Sequence, residues 1–120
     1  MKIKLAGSDN ANIVSVIGSI DALTSEHIVE VLEIQIKNSK EYTIIDLGQV
    51  EFMSSAGLRV ILGSLKIARQ HGGDLYLADA QPGVERVLKM SGFINILKRF
   101  TSVDKALSEI GRNGLANNHT

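Results

Sequence analysis

The sequence has no cysteine and no tryptophan, a single proline, five aromatic residues and no excess of either charge. Each absence removes something. Without cysteine there are no disulfides, no thiol nucleophile and no cysteine-ligated zinc. Across the 120 residues, 13 Lys and Arg balance 13 Asp and Glu, with no block of like charge. A sequence-independent nucleic-acid binder carries a cationic excess to displace counterions from phosphates, so that class is set aside. No apolar run approaches the roughly 20 residues that a membrane helix requires, which argues against direct membrane insertion. Lys2-Ile3-Lys4-Leu5 alternates polar and apolar as a strand does and is not read as a secretory signal, so a cytoplasmic location is expected. Charge neutrality has a further consequence. One phosphate, at roughly −1.5 to −2 charges, would change the overall balance substantially.

Several catalytic patterns are missing as well. Gly57 and Gly63 have the glycine spacing of a P-loop, but Ser64 stands where its lysine would be. No run of three spaced glycines follows a strand in the dinucleotide-binding manner. The histidines, His27, His71 and His119, show no pair at metal-ligand spacing and are read as unrelated surface residues. Ser54-Ser55-Ala56-Gly57 lacks the glycine that a nucleophile elbow places two residues before its serine. No cofactor, no metal and no enzymatic activity are expected.

What is present is an alternation of strand and helix patterns. A β-branched run, Ile13-Val14-Ser15-Val16-Ile17, follows the first strand and turn and ends at Gly18, predicting a hairpin. Thr24 or Ser25 then caps a helix whose apolar stripe is Ile28, Val31, Leu32 and Ile36, ending at Asn38. Tyr42 to Leu47 suits a central buried strand closed by Gly48. The pair Ser54-Ser55 precedes a second helix with Leu58, Ile61, Leu62, Leu65 and Ala68 on one face, stopped at Gly72-Gly73. Asp74 to Ala78 is a further strand. Pro82 opens a third helix with Val84, Val87 and Leu88 inward. A short strand is expected between Phe93 and Phe100, and Ser102 caps a last helix with Val103, Ala106, Leu107 and Ile110 inward. Right-handed crossovers then place the strands after the hairpin in parallel. The fold expected is α/β: a small mixed sheet with an N-terminal antiparallel hairpin, parallel strands joined by helices, and a C-terminal helix. Residues 1–110 form one domain, long enough to bury its own core. Residues 111–120 lack periodicity and are expected to be a mobile tail.

The most informative stretch is Glu51-Phe52-Met53-Ser54-Ser55-Ala56-Gly57-Leu58, two serines between a strand end and a strongly periodic helix. Either serine could be simply an N-cap. The run also resembles the signature of STAS-domain anti-sigma-factor antagonists, in which a phosphorylatable serine opens a helix within a Met-Asp-Ser-Ser/Thr-Gly-Leu type of motif. Two more stretches resemble the same family: Gly18-Ser19-Ile20-Asp21-Ala22-Leu23-Thr24 before the first helix, and the strand Ile44-Ile45-Asp46-Leu47. The resemblance runs from the first strand to Ile110. Alignment on Met53 and Gly57-Leu58 implies that Ser55 is the phosphoacceptor, with Ser54 as second candidate. Ser54 occupies a position where many members carry Asp.

The resemblance implies a partner-switching protein. Unmodified, it would bind an anti-sigma factor that is also a serine kinase with a histidine-kinase-like ATPase fold. Phosphorylation of Ser55 would release it, and a PP2C-type phosphatase would restore it. ATP and metal would belong to those partners. The partner-binding residues implied are Asp21, Thr24, Ser54, Ser55, Ala56, Gly57 and Arg59. Asp21 is equally a turn-former before a helix, and Arg59 either contacts the partner or the phosphate or is a solvated helix residue. Asp46 is read as structural. Two rival functions fit the same residues: an unmodified STAS scaffold of a larger regulatory or membrane transport complex, and a small enzyme or nucleotide-binding protein using a pocket around Asp21 and Ser55.

Overall fold

In the computed structural model, which describes residues 1–8, 10–38 and 41–118, five strands form one sheet in the order β1-β2-β3-β4-β5. Strands β1 (Lys2–Gly7) and β2 (Ala11–Ile20) make the antiparallel hairpin. Next come α1 (Ser25–Lys37), β3 (Tyr42–Met53), α2 (Ser55–Gln70), β4 (Asp74–Ala78), α3 (Pro82–Met90), β5 (Lys98–Phe100) and α4 (Val103–Asn118). β3 lies parallel to β2, β4 to β3, and β5 to β4. This is the α/β architecture that the alternation of periods predicts.

The helices divide between the two faces of the sheet. Ile28, Leu32 and Ile36 of α1, Leu58, Ile61 and Leu65 of α2, and Val84 and Leu88 of α3 pack on Val14, Val16, Ile45, Leu47, Leu75 and Leu77. On the opposite face, Ala106 and Ile110 of α4 pack with Ala11, Tyr42, Ile44, Tyr76 and Ala78. Successive residues of a strand point to opposite faces, so Ile44 and Ile45 enter different cores. β3 is buried on both sides over this stretch, hence its continuous apolar run.

Three boundaries differ from the sequence reading. β2 continues past Gly18 to Ile20, and β3 continues past Gly48 to Met53. The pairing stays parallel but shifts twice: Ser15 faces Asp46 while Ile17 faces Gln49, and Gly18 faces Val50 while Ser19 faces Phe52. Each shift inserts one extra residue into β3, as a β-bulge does. Gly48 belongs to the first shift and does not end the strand. A Cβ there would come within 2.5 Å of an Asp79 carboxylate oxygen. The third difference is at the C-terminus, where α4 runs on to Asn118 in place of an irregular segment beginning at Gly111. Once a turn is nucleated, here with Ser102 Oγ accepting from Lys105 N at 3.1 Å, each added residue needs little further stabilisation. The last two residues of the expected tail lie outside the described residues.

Ile61 is fully buried on α2, whereas Ile34 on α1 is largely exposed. Ile61→Ala should lower stability by about 2–5 kcal/mol through lost burial and the cavity left behind. Ile34→Ala should stay within about 0.5 kcal/mol. Urea denaturation followed by circular dichroism measures both.

Candidate functional site

β2 and β3 end side by side, with Ile20 opposite Met53. Both strands leave the sheet at the same end, one through a turn into α1, the other directly into α2. The turn is built by its own polar side chains. Asp21 Oδ1 accepts from Leu23 N at 2.9 Å and Thr24 N at 3.2 Å, the local bonding that makes Asp a turn residue. Thr24 Oγ1 accepts from Asp21 N at 3.1 Å and donates to Ser19 O at 2.9 Å. Ser25 Oγ donates to the Asp21 carbonyl. Thr24 occupies the N-cap position of α1 without making a side-chain cap bond there, because its hydroxyl is engaged behind the helix.

α2 starts against this turn. Ser54 N donates to Ile20 O at 2.9 Å. Ser54 Oγ accepts from Gly57 N at 3.1 Å, so Ser54 is the N-cap and Ser55 the first helical residue. Gly57 faces the end of β2 so closely that a Cβ would lie 2.3 Å from Ile20 O. No side chain fits there. The two serines therefore differ in kind. Ser54 is half-buried and committed to capping. Ser55 is exposed, and its hydroxyl makes no hydrogen bond among the described residues.

Three large apolar side chains on the elements that meet near this site are exposed. Leu23 in the turn is 95% exposed, Met90 at the end of α3 is 80% exposed, and Phe52 near the end of β3 is 54% exposed. Ser55, Leu58, Val87, Met90 and Ser91 line a shallow groove of about 250 Å³ between α2 and α3. Ala56 is half-buried, and Arg59 is exposed one turn into α2. Leu23, Phe52 and Met90 escape the sequence reading, although each carries a signal. Leu23 precedes the helical stripe of α1, Phe52 falls on the outward phase of the last β3 residues, and Met90 lies off the Val84–Val87–Leu88 face.

Other candidate chemistry is dispersed. Among the described residues no three His, Asp or Glu side chains gather as a metal site would require. His27 and His71 are both exposed, and the His71 ring meets only its own helix, with Nδ1 3.0 Å from Ile67 O. His119 lies outside the described residues. Asp46 accepts from Ser15 Oγ and from Gly48 N, each at 3.0 Å, bracing the first β3 bulge. No helix among the described residues is long and apolar enough to cross a membrane.

An interrupted parallel pair whose two exits bring an Asp-built turn against a serine-capped helix is the arrangement the sequence motifs describe, and comparison with known proteins agrees. The family model for the STAS domain matches residues 2–106. The chain belongs to the STAS family of anti-sigma factor antagonists. Over 111 residues it is 32% identical to the anti-sigma F factor antagonist of Paenibacillus polymyxa, covering 92% of this chain and 95% of that protein. Its fold matches that of the anti-sigma factor antagonist SpoIIAA in the unphosphorylated form, with a TM-score of 0.78 at 19% identity over 91% of this chain and 96% of that one. The phosphorylated form of SpoIIAA, from Bacillus, matches with a TM-score of 0.71 at 18% identity, covering 91% and 99% of the two chains.

The STAS site should respond to three substitutions in a graded way. Ser55→Ala should change stability by less than about 0.5 kcal/mol. Ser54→Ala, which removes a cap, should cost about 1 kcal/mol. Gly57→Ala should cost more than either, because the new methyl group can be accommodated only by moving α2 off β2. Urea melts of the three variants give the order directly.

Proposed function

We propose that this STAS protein is a partner-switching anti-sigma factor antagonist controlled by phosphorylation of Ser55. Unmodified, it binds an anti-sigma factor that is also a serine kinase with a histidine-kinase-like ATPase fold. The γ-phosphoryl group of ATP held by that partner passes to Ser55 Oγ, ADP leaves, and the complex comes apart. A PP2C-type phosphatase returns the serine. The protein acts in the cytoplasm and performs no catalysis itself. The observation that carries this reading is the division of labour between the serines: Ser54 caps the helix, leaving Ser55 exposed and unbonded.

A phosphate at this position suits the helix and not the interface. Helix N-termini present unpaired N–H groups and the positive end of the macrodipole, so an anion there is tolerated. α2 has no acidic residue in its first turn, whereas α1, α3 and α4 carry Glu26, Glu85 and Asp104. Phosphorylation of Ser54 would instead disrupt the bond to Gly57 N. A partner seated on Ser55 must desolvate the dianion and lose its contact with the hydroxyl.

Magnitude places Ser55 inside the contact area. Turning a binding equilibrium from 99:1 to 1:99 needs about 5.5 kcal/mol, while exposed ion pairs supply about 0–1 kcal/mol. Met90, which lines the groove beside Ser55, and Leu23 on the turn before α1 offer apolar surface that would exclude water from the contact. Asp21 and Thr24 hold the turn that presents Leu23. Gly57 sets the distance between turn and helix. Ala56 and Arg59 complete the helical side of the surface.

Phosphopeptide mapping of protein purified from its own host under several growth conditions tests the reading, with a Ser55→Ala strain as control. Phosphate on Ser55 that varies with condition, and vanishes in the variant strain, is the expected result. Unmodified protein in all conditions, together with normal signalling by the variant, would replace the switch with an unmodified scaffold.

A further inference from the structure

We propose that Arg59 clamps the phosphate on Ser55 within the same chain, so that modification both adds negative charge to the docking surface and withdraws a cation from it. This rests on phosphorylation of Ser55 as read above.

The geometry comes from the helix. Ser55 and Arg59 are four residues apart on α2, the spacing at which side chains on a helix surface meet. Helical side chains lean toward the N-terminus and cover the preceding turn, so a side chain at position 59 can reach back over the turn that holds Ser55. The order is also the favourable one, with the anion N-terminal to the cation. Both residues are exposed, and among the described residues Arg59 forms no ion pair. Nothing has to be broken for it to turn to a phosphate. A guanidinium presents paired N–H donors that match two phosphate oxygens.

Charged groups on the neighbouring elements are less well suited. Asp21 on the turn before α1 has Oδ1 engaged by two backbone N–H groups and is itself an anion, as is the exposed Glu51 on β3. Lys89 on α3 precedes Met90, which shares the groove with Ser55. It is exposed, but it sits on a different helix and offers a single point charge. Arg59 is held in register with Ser55 by the α2 backbone. In the unmodified protein the free guanidinium is available to an acidic group on the partner. In the modified protein it is occupied. The two states then differ by more than the phosphate alone.

The test uses the full chain with phosphoserine installed at position 55 during synthesis by an expanded genetic code, so that no kinase is required. The second ionisation of a phosphoserine lies near pH 6 and is followed by phosphorus NMR across a pH titration. A guanidinium beside the phosphate favours the dianion and lowers that pKa. Arg59→Gln should raise it by about half a unit relative to the unsubstituted chain. Arg59→Lys should fall between the two, and Lys89→Gln should leave it unchanged. An identical titration in the Arg59→Gln variant would overturn the clamp, as would a shift produced by Lys89→Gln in its place. Because the phosphate is installed, failure here would leave the host's phosphorylation of Ser55 untouched, and that is decided by phosphopeptide mapping.

Discussion

The contact between the end of β2 and the start of α2 governs the rest of the site. Ile20 O receives the Ser54 N–H at 2.9 Å, and the same carbonyl leaves no room for a side chain on Gly57. These two features fix the helix origin relative to the turn that Asp21 and Thr24 build. Once the origin is fixed, the capping serine faces inward and the next residue faces solvent. The exposed position of Ser55 is thus a consequence of backbone packing one and two residues away, and not of any contact that Ser55 makes itself.

That arrangement separates what stabilises α2 from what its first turn exposes. The core on the face of the sheet covered by α1, α2 and α3 reaches α2 through Leu58, Ile61 and Leu65, leaving the outward side of its first turn exposed. A helix N-terminus accommodates an anion with little rearrangement, so a modification there can act on a partner while the sheet stays as it is. Large apolar side chains left in solvent cost the isolated protein, since apolar surface is more favourably buried. Leu23 at 95% exposure and Met90 at 80% are the largest such exposures among the described residues.

Much of this was legible in the residues alone. Period and punctuation located the four helices found among the described residues, and the strand–helix alternation implied the parallel part of the sheet. The Met53-to-Leu58 run, with the loop from Gly18 to Thr24, pointed to the site. What stayed hidden has physical reasons. Gly18 and Gly48 look like strand ends because glycine usually interrupts a strand, but a register shift lets β2 and β3 continue past them. The extent of α4 depends on propagation from its cap, which composition does not display. Which serine caps and which is free is decided by one hydrogen bond to Gly57 N, and adjacent serines are indistinguishable by pattern. That Leu23, Phe52 and Met90 stand exposed could be recognised only once the turn, the strand end and α3 were in place.

The central claim is that a phosphate on Ser55 alters a docking surface without altering the fold. Backbone amide NMR of the chain with and without phosphoserine installed at position 55 tests it most directly. The account requires chemical-shift changes confined to the turn from Asp21 to Thr24, the first turns of α2 and the end of α3, with the sheet and α4 unmoved. Changes spread through β3, β4 and α4 would contradict it, and would mean that the modification acts by rearranging the core.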